Sequence, residues 1–288
     1  MLTALKSFQK NVYSQNGEDG LIQEILTRIS KKHALNKWCV EFGAWDGVYL
    51  SNTCRLIREE GYSAVLLEGD SQKIKQLEAN FPQANVHKLC EFVSVDGEKT
   101  LENLLAKTPI PHDFDFLSVD IDGMDYYVLE SFNAYKPKII CIEFNPTIPN
   151  ILDFVQPRDF SIKQGSSASA LVRLANSKGY ALVEATQCNV LFVRQDLIDC
   201  VTDGRVHLQD VNLPGNHPQF IFAGFDGTIL SNKTEIRLPW HSISVPMSQL
   251  QFLPEALRTY RLDYTSSQAE AFIKLLGIMP RVKTEPGV

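Results

Sequence analysis

Short apolar runs alternate with segments of helical periodicity along most of the chain, and this alternation limits the fold more than any other feature. Seven runs rich in Val, Ile, Leu and Phe are predicted as strands: Trp38–Phe42, Ala64–Glu68, Val86–Val93, Phe114–Asp120, Lys138–Phe144, Tyr180–Thr186 and Asn189–Arg194. Apolar residues at i, i+3 and i+4 or i+7 spacing between these runs predict helices that lie on a sheet. Strand, helix and strand repeats of this length predict parallel strands joined by right-handed crossovers.

The last two runs are separated by only Gln187 and Cys188. This gap allows a hairpin but no crossover, so the last strand is predicted to run antiparallel to its neighbour. The sequence therefore predicts an α/β fold with a doubly wound, mostly parallel seven-stranded sheet and an antiparallel terminal hairpin.

Three regions are predicted along the chain: an N-terminal helical lead at 1–36, the sheet domain at 37–195 and an accessory region at 196–288. The lead carries a helical set of apolar residues between Leu21 and Ile29. In the accessory region, Pro and Gly residues interrupt the pattern, as at 212–218. Strand-like pieces at Gln219–Ala223 and Glu235–Leu238 and a helix near Ala269–Leu276 are expected there.

Helix ends are also marked in the sequence. Serines are predicted at N-cap positions and glycines where helices stop, because a serine oxygen accepts a free helix N–H and glycine tolerates the left-handed conformation. The residues concerned are Ser51, Ser71, Ser166 or Ser167, Gly61 and Gly179.

Composition excludes several classes of protein. The chain has 288 residues, 44% of them apolar, which is enough for a substantial core. No apolar stretch approaches the roughly 20 residues of a membrane span, and the first residues lack a hydrophobic signal region, so we expect a cytoplasmic protein. A net charge of −6 without a Lys/Arg-rich run argues against nucleic-acid binding. A small molecule or a carbohydrate is the expected substrate.

The six cysteines show no Cys-x-x-Cys spacing. Cys39, Cys90 and Cys141 lie inside predicted strands, which favours small buried thiols over a disulfide framework or a zinc site.

Ligands of an open parallel sheet bind beyond the carboxyl ends of its strands, so the residues at those ends are the candidate site. The first strand ends in Glu41 and a loop that contains Gly43 and Gly47. Two glycines let a ligand approach the backbone closely, although many βα turns use glycines without binding anything. The loop lacks the third glycine of a dinucleotide fingerprint, and Glu41 favours a ligand with a cationic amine over a pyrophosphate.

Carboxylates follow three further strands. Glu68 ends the second strand, where it can accept both hydroxyls of a ribose, and the two tips together indicate an adenosyl ligand. Asp120, Asp122 and Glu143 lie at the ends of the fourth and fifth strands and are expected to converge as a general base or as oxygen ligands of a divalent cation. The alternative is structural: a helix cap by Asp122 and a turn at Asn145-Pro146.

These segments together resemble the FkbM-type family of S-adenosylmethionine-dependent methyltransferases. The resemblance covers about residues 11–195, and its motifs are Tyr13–Gly20 (YSQNGEDG), Val40–Gly47 (VEFGAWDG), Leu67–Asp70 (LEGD) and Asp120–Gly123 (DIDG) followed by Ile142-Glu143. It implies a class I methyltransferase fold that binds S-adenosylmethionine. Many relatives methylate oxygen atoms of surface polysaccharides or secondary metabolites. This chain departs from many of them at Asp122, where they carry glutamate.

The resemblance also implies contacts for the cofactor. Glu41 and Gly43, with Gly47 in the same loop, would lie at its methionine part and Glu68 at its ribose. Phe92 and Val93 would contact the adenine. Gln15 would approach from the N-terminal lead. Asp120, by its position at a strand tip, is also expected near the reacting end of the ligand.

Methyl transfer to a sugar hydroxyl requires a place for the hydroxyl proton, which makes Asp120 or Asp122 the candidate base. Mg²⁺ or Mn²⁺ held by Asp120, Asp122 and Glu143 would lower the pKa of the hydroxyl. His241 is a second candidate base if the accessory region folds over the strand tips, and otherwise a surface histidine. An acceptor that is already anionic, such as a phosphate, would need no base.

The sequence favours an O-methyltransferase acting on a sugar, a glycoconjugate or a polysaccharide precursor. Two alternatives stay open: a nicotinamide-dependent oxidoreductase, and a catalytically silent binding protein on the same fold. Phe225–Thr228 (FDGT) resembles the nucleophile loop of aspartate-based phosphatases, but Gly224 replaces the nucleophile, so a turn is predicted there.

Overall fold

The structure, a computed structural model, describes residues 2–211, 219–238 and 241–277. The chain divides into two compact units, Met1–Asn216 and His217–Val288, and each is described by itself. The predicted boundaries at 36/37 and 195/196 stay predictions. The Pro- and Gly-containing stretch 212–218, and Pro239 and Trp240 beside His241, lie outside the described residues.

The first unit is built on a seven-stranded sheet whose strands are β1 (Trp38–Phe42), β2 (Ser63–Leu67), β3 (Val86–Leu89), β4 (Phe116–Val119), β5 (Ile139–Glu143), β6 (Tyr180–Ala185) and β7 (Asn189–Arg194). Their order across the sheet is β3-β2-β1-β4-β5-β7-β6. β1 to β5 pair in parallel, whereas β7 runs antiparallel to both β5 and β6. The predicted fold class, including the terminal hairpin, is confirmed.

Helices cover both faces of this sheet because alternate strand residues point to opposite sides. They are α1 (Glu18–Ser30), α2 (Cys54–Glu60), α3 (Lys73–Asn80), α4 (Leu101–Leu105), α5 (Asp125–Ser131), α6 (Ala168–Ser177) and α7 (Ile198–Val201). Val40 and Phe42 pack in one core with α4, α5 and α6. Cys39 packs in the other core with α1, α2 and α3. The fold is therefore three-layered, as the alternation predicts.

The third strand is shorter than predicted. It is an edge strand that pairs only with β2, and the last pair of the two is Leu67 with Leu89. Beyond Leu89 no partner remains, so the chain leaves the sheet. The predicted extension to Val93 is wrong, and Cys90, predicted to be a buried thiol, is exposed. All six cysteines are free, and Cys39 and Cys141 are buried as predicted.

The predicted helix ends are largely confirmed. Ser167 caps α6 by accepting a hydrogen bond from the N–H of Ala170 at 3.2 Å. Gly61 (φ +71°) ends α2, and Gly179 (φ +84°) follows α6. At α3 the predicted cap is wrong: the carboxylate of Asp70, not Ser71, accepts the N–H groups of Gln72 and Lys73.

The second unit contains two antiparallel hairpins and a helix. The hairpins are formed by β8 (Ile221–Ala223) with β9 (Ile229–Ser231), and by β10 (Glu235–Leu238) with β11 (Ile243–Pro246). The helix, α8 (Ser266–Leu276), covers the predicted helical segment. Between β8 and β9, Asp226 accepts the N–H and the hydroxyl of Thr228, so the predicted turn is confirmed.

Short 3₁₀ helices complete the described chain: Leu5–Phe8, Gly97–Lys99, Gln195–Leu197, Leu208–Asp210, Met247–Leu250, Glu255–Leu257 and Arg261–Asp263. Across the described ranges, every helix falls short of the length and apolar character required to cross a lipid bilayer.

Candidate active site

A cavity of about 520 Å³ opens at the carboxyl ends of β1, β2, β4 and β5 in the first unit. Nine residues predicted from the sequence line it: Gln15, Glu41, Gly43, Glu68, Phe92, Val93, Asp120, Asp122 and Glu143. The topology brings them together because parallel strands present their carboxyl ends at one edge of the sheet. Gly47 is not among the lining residues. His241 lies in the second unit, exposed and just before β11.

The two glycines of the loop after β1 have different tasks. Gly43 has φ +80°, and a Cβ there would lie 1.8 Å from the carbonyl oxygen of Asp120. At Gly47 (φ +73°) a Cβ would instead meet the side chains of Leu77 and Phe81. Gly43 thus lets the β1 loop reach the tip of β4 at the cavity, whereas Gly47 lets the same loop pack on α3.

Glu41 holds the N-terminal approach to α2 in place. Its carboxylate accepts hydrogen bonds from the hydroxyls of Ser51 (2.5 Å) and Thr53 (2.6 Å) and from the N–H of Asn52 (2.7 Å). Burial raises the pKa of Glu41 even though these three donors lower it. Glu41 therefore lines the cavity and also fixes the loop that forms its floor.

The cavity end beside β2 combines a carboxylate with an exposed aromatic ring. Glu68 accepts the N–H groups of Trp45 at 3.0 Å and Asp70 at 2.8 Å, one on each oxygen. The ring of Phe92 packs directly on the backbone of Gly69, where a Cβ would lie 2.3 Å from it, and Phe92 is 74% exposed. A flat aromatic surface next to an oriented carboxylate suits a base and a ribose.

The opposite end carries three carboxylates. Asp120, Asp122 and Glu143 each place one oxygen within 4.8 Å of the others. Burial, and then the charge of Asp122, raise the pKa of Asp120 to about 6. Burial and then Asp120 also raise the pKa of Glu143, to which Asp120 is hydrogen-bonded. In the described parts of the chain, no Lys, Arg or His forms an ion pair with this cluster. The cluster therefore shares a proton or binds a cation.

The turn that presents Asp122 is held by a different aspartate. Asp122 has φ +56°, and the buried Asp125 accepts the N–H groups of Ile121 and Gly123, both at 2.9 Å. Burial, and then the charge of Asp120, raise the pKa of Asp125 to about 7. The helix cap that the sequence leaves open for Asp122 is not formed, since the N-cap residue of α5 is Met124, and Asp122 remains exposed at the cavity. The turn expected at Asn145 is present, since its carboxamide oxygen accepts the N–H of Thr147.

The N-terminal motif is folded around two buried acids. Asp19 accepts three consecutive N–H groups, from Val12, Tyr13 and Ser14, at 2.7 to 2.8 Å. Glu18, which is fully buried, accepts the N–H of Asn16 and bonds to the side chains of Thr186 and Asn189 near the β6–β7 turn. These contacts place Gln15 at the cavity.

Several lining residues were not predicted. Trp45, Tyr49, Lys73, Phe160 and Lys163 all contribute to the cavity wall. The Lys73 ammonium lies 4.2 Å from the centre of the Trp45 ring, a cation–π contact at the β2 end. Trp45 and Tyr49 stand in the loop after β1. Two aromatic residues beside the predicted glycines could have been recognised in the sequence as candidate lining residues. Phe160 and Lys163 belong to an irregular segment with no local signature.

Among protein-family models, the methyltransferase FkbM domain matches residues 95–162. That segment contains Asp120, Asp122 and Glu143, and it confirms the resemblance to FkbM-type methyltransferases. Gln15, Glu41, Gly43 and Glu68 precede it. The curated proteins give no match to the chain.

Three solved structures are among those similar to part of the chain. The citrinin polyketide synthase CMeT domain is 13% identical, with 64% of this chain and 54% of that chain covered and a TM-score of 0.40. A TehB-like SAM-dependent methyltransferase from Corynebacterium glutamicum is 13% identical (66% and 92% covered, TM-score 0.38). M. capricolum TrmK, in complex with S-adenosyl-homocysteine, is 11% identical (59% and 67% covered, TM-score 0.36). The match spans only 47% to 62% of several such chains.

Proposed function

We propose that this chain, whose residues 95–162 match the methyltransferase FkbM domain, is an S-adenosylmethionine-dependent methyltransferase. We propose further that it methylates an oxygen of a sugar, a glycoconjugate or a polysaccharide precursor, in the cytoplasm. One observation carries the proposal: a single cavity holds a ribose-type carboxylate with an aromatic platform at one end and a cluster of acids at the other.

The charge of the cavity supports this cofactor. Six carboxylates line it, from Glu41, Glu68, Glu91, Asp120, Asp122 and Glu143, against two lysines, Lys73 and Lys163. S-adenosylmethionine, when bound, supplies an activated methyl group on a cationic sulfur and also carries an ammonium group. A negative cavity attracts such a ligand and disfavours the pyrophosphate of a nicotinamide dinucleotide.

Four of the predicted residues at the cofactor end then have roles that their surroundings support. Glu68, held by two backbone N–H groups, keeps lone pairs free for the ribose hydroxyls, and Phe92 stacks on the adenine. Gly43 lets the β1 loop pack against the carbonyl of Asp120, which brings the tips of β1 and β4 together at the cavity. Glu41 acts mainly through the loop at Ser51 and Thr53 that its carboxylate fixes.

The acid cluster supplies the chemistry at the acceptor. In its ionised form Asp120 accepts the proton of the acceptor hydroxyl, and Glu143, whose pKa is raised more than that of Asp120, holds the proton that the two share. Asp122, the most exposed of the three, orients the acceptor. Asp125 keeps the turn at Ile121 and Gly123 in place while this occurs.

The same three residues fit a divalent cation, because they offer only oxygen ligands within a small radius. Mg²⁺ or Mn²⁺ there would lower the pKa of a bound hydroxyl.

The cofactor test is a thermal shift with S-adenosylhomocysteine (SAH) and, separately, NADH. SAH at about 100 times its Kd should raise Tm by about 5 °C or more, and NADH should leave Tm unchanged. The Glu68→Gln variant should bind SAH about tenfold more weakly, since a charged hydrogen-bond acceptor to the ribose is lost. Glu78→Gln, an exposed change on α3, is the matched control.

Stabilisation by NADH in place of SAH would favour the oxidoreductase alternative. SAH binding without methyl transfer to any sugar of a broad panel would favour the silent binding protein. Unchanged SAH affinity in Glu68→Gln would remove Glu68 from the ribose site.

The metal proposal makes its own prediction for calorimetry with Mn²⁺. Binding should release close to one proton, seen as an enthalpy that depends on the buffer, because the ion displaces the proton shared by Asp120 and Glu143. Asp122→Asn should weaken Mn²⁺ binding about tenfold or more by removing one charged ligand. If the SAH-loaded protein takes up no Mn²⁺, the cluster works by proton sharing alone.

A further inference from the structure

The loop 157–165, which follows β5, lies over the strand tips that carry the acid cluster. At the tip of β5, the side chain of Asn145 donates to the carbonyl of Gln164 at 2.6 Å. At the tip of β4, a Cβ on Gly123 would lie 2.9 Å from the carbonyl oxygen of Ile162. The loop therefore bridges the two tips from which Asp120, Asp122 and Glu143 enter the cavity.

A buried glutamine fixes the path of this loop. Gln156 is 0% exposed, and its carboxamide oxygen accepts the N–H groups of Gln164 (3.1 Å) and Gly165 (2.9 Å). Its amide group donates to the carbonyl of Ile162 at 3.2 Å. At the start of the loop, one guanidinium nitrogen of Arg158 donates to both carboxylate oxygens of Asp96 at 2.7 Å. Such a loop is a preformed wall and loses little entropy when a ligand binds.

Two side chains of this wall, Phe160 and Lys163, line the cavity. Phe160 is 47% exposed, a large apolar ring that no core covers. Lys163 is exposed and, within the part of the chain that the structure describes, forms neither a hydrogen bond nor an ion pair. The other lysine of the cavity, Lys73, lies over Trp45 at the opposite end.

An exposed aromatic ring and an ammonium group on the same wall favour one type of acceptor. A neutral sugar would accept ordinary hydrogen bonds from the Lys163 ammonium but would not neutralise its charge. A sugar with an anionic substituent would gain a charge-assisted hydrogen bond from Lys163, which offsets the repulsion between that anion and the carboxylates. The face of its ring could pack on Phe160, as apolar surfaces do on aromatic rings.

We propose that the acceptor is a sugar carrying a carboxylate or a phosphate group, with Lys163 binding the anion and Phe160 packing on the ring. This proposal rests on the proposed methyltransferase function, because it assigns the end of the cavity that carries the acid cluster to the acceptor.

The test is calorimetric titration of the SAH-saturated protein with three probes: glucuronate, glucose 1-phosphate and methyl glucoside. At least one anionic sugar should bind about tenfold more tightly than methyl glucoside, and the more tightly bound of the two identifies the anion. Lys163→Met should remove this preference, and Lys163→Arg should keep most of it. Lys75→Met, on the exposed face of α3, should match the wild type.

Three results would overturn the proposal. In the first, methyl glucoside binds as tightly as the anionic sugars. In the second, neither anionic sugar binds at all. In the third, Lys163→Met weakens SAH about tenfold but leaves methylthioadenosine, which lacks the amino-acid part, unaffected, so that Lys163 serves the cofactor carboxylate instead.

Failure of the wild type to bind SAH would contradict the proposed function separately. The same sugar titrations on the cofactor-free protein would then still decide the role of Lys163.

Discussion

Replacing Asp120 by asparagine is expected to lower kcat for methyl transfer by about 10²–10⁴-fold, the usual contribution of a positioned general base. Asparagine keeps the size of the side chain but cannot accept the hydroxyl proton. SAH affinity should change by less than about threefold, because the β1 and β2 tips are untouched. The measurement is SAH release with the best acceptor of the sugar panel, together with SAH binding by calorimetry.

The pH dependence of the wild type gives a second readout for Asp120. With EDTA present, kcat should rise as the pH increases through about 6, because burial and the charge of Asp122 raise the pKa of Asp120 to about 6 and only its ionised form acts as a base. Asp120→Asn should lose this rise. A variant that retained wild-type kcat, or the same pH profile at lower activity, would contradict the assignment of Asp120 as the base.

Much of the sheet could be predicted because its strands are buried on both faces and therefore read as apolar runs. The bounds of β1 and β7 agree with the prediction residue for residue. β3 does not, because an edge strand ends where its neighbour ends and not where its apolar run ends. The length of β3 is thus set by β2, which no local pattern records.

Of the candidate site, too, one part could be predicted from the sequence and another could not. Carboxylates at strand tips could be predicted, since topology alone brings the ends of β1, β2, β4 and β5 together. What each glycine does could not, because Gly43 and Gly47 differ only in what surrounds them: a carbonyl of Asp120 in one case, side chains of α3 and its C-cap in the other.

The hydrogen-bond partners of the buried acids in the N-terminal motif could be identified only from the three-dimensional structure. Glu18 accepts a hydrogen bond from Asn189, 171 residues away in the chain. Gln156 likewise accepts the N–H of Gln164, in a loop whose position depends on the tips of β4 and β5. The structure places Glu18 and Asp19 in the first turn of α1, where acids are common because they interact favourably with the helix dipole. Their further partners are set by tertiary contacts.

The amino-terminal edge of the sheet carries a second buried charge, whose role is stability. Asp115, just before β4, is 0% exposed and accepts the Lys138 ammonium at 2.8 Å and the N–H groups of Asn36 and Lys37. Lys138, just before β5, also donates to the carbonyl of Asp113. A buried carboxylate that loses its cation retains its desolvation cost without compensation.

Lys138→Met is therefore expected to lower the free energy of unfolding by about 3–5 kcal/mol, which corresponds to a fall in Tm of about 10 °C. Lys136→Met, an exposed change two residues earlier, should stay within about 0.5 kcal/mol of the wild type. The double variant Asp115→Asn/Lys138→Met should be more stable than Lys138→Met alone, since it removes the unpaired charge. Urea denaturation followed by circular dichroism measures all three.

The pair lies just before β4 and β5, whereas the acid cluster lies at the carboxyl ends of the same two strands. The effects of changes at the two ends can therefore be measured separately. Below its lowered Tm, folded Lys138→Met should bind SAH with wild-type affinity, whereas Asp120→Asn should unfold like the wild type and fail in methyl transfer. If the double variant were no more stable than Lys138→Met alone, the loss of stability would not come from an unpaired Asp115. A loss of SAH affinity in folded Lys138→Met would mean that the pair also shapes the cavity at the far end of the sheet.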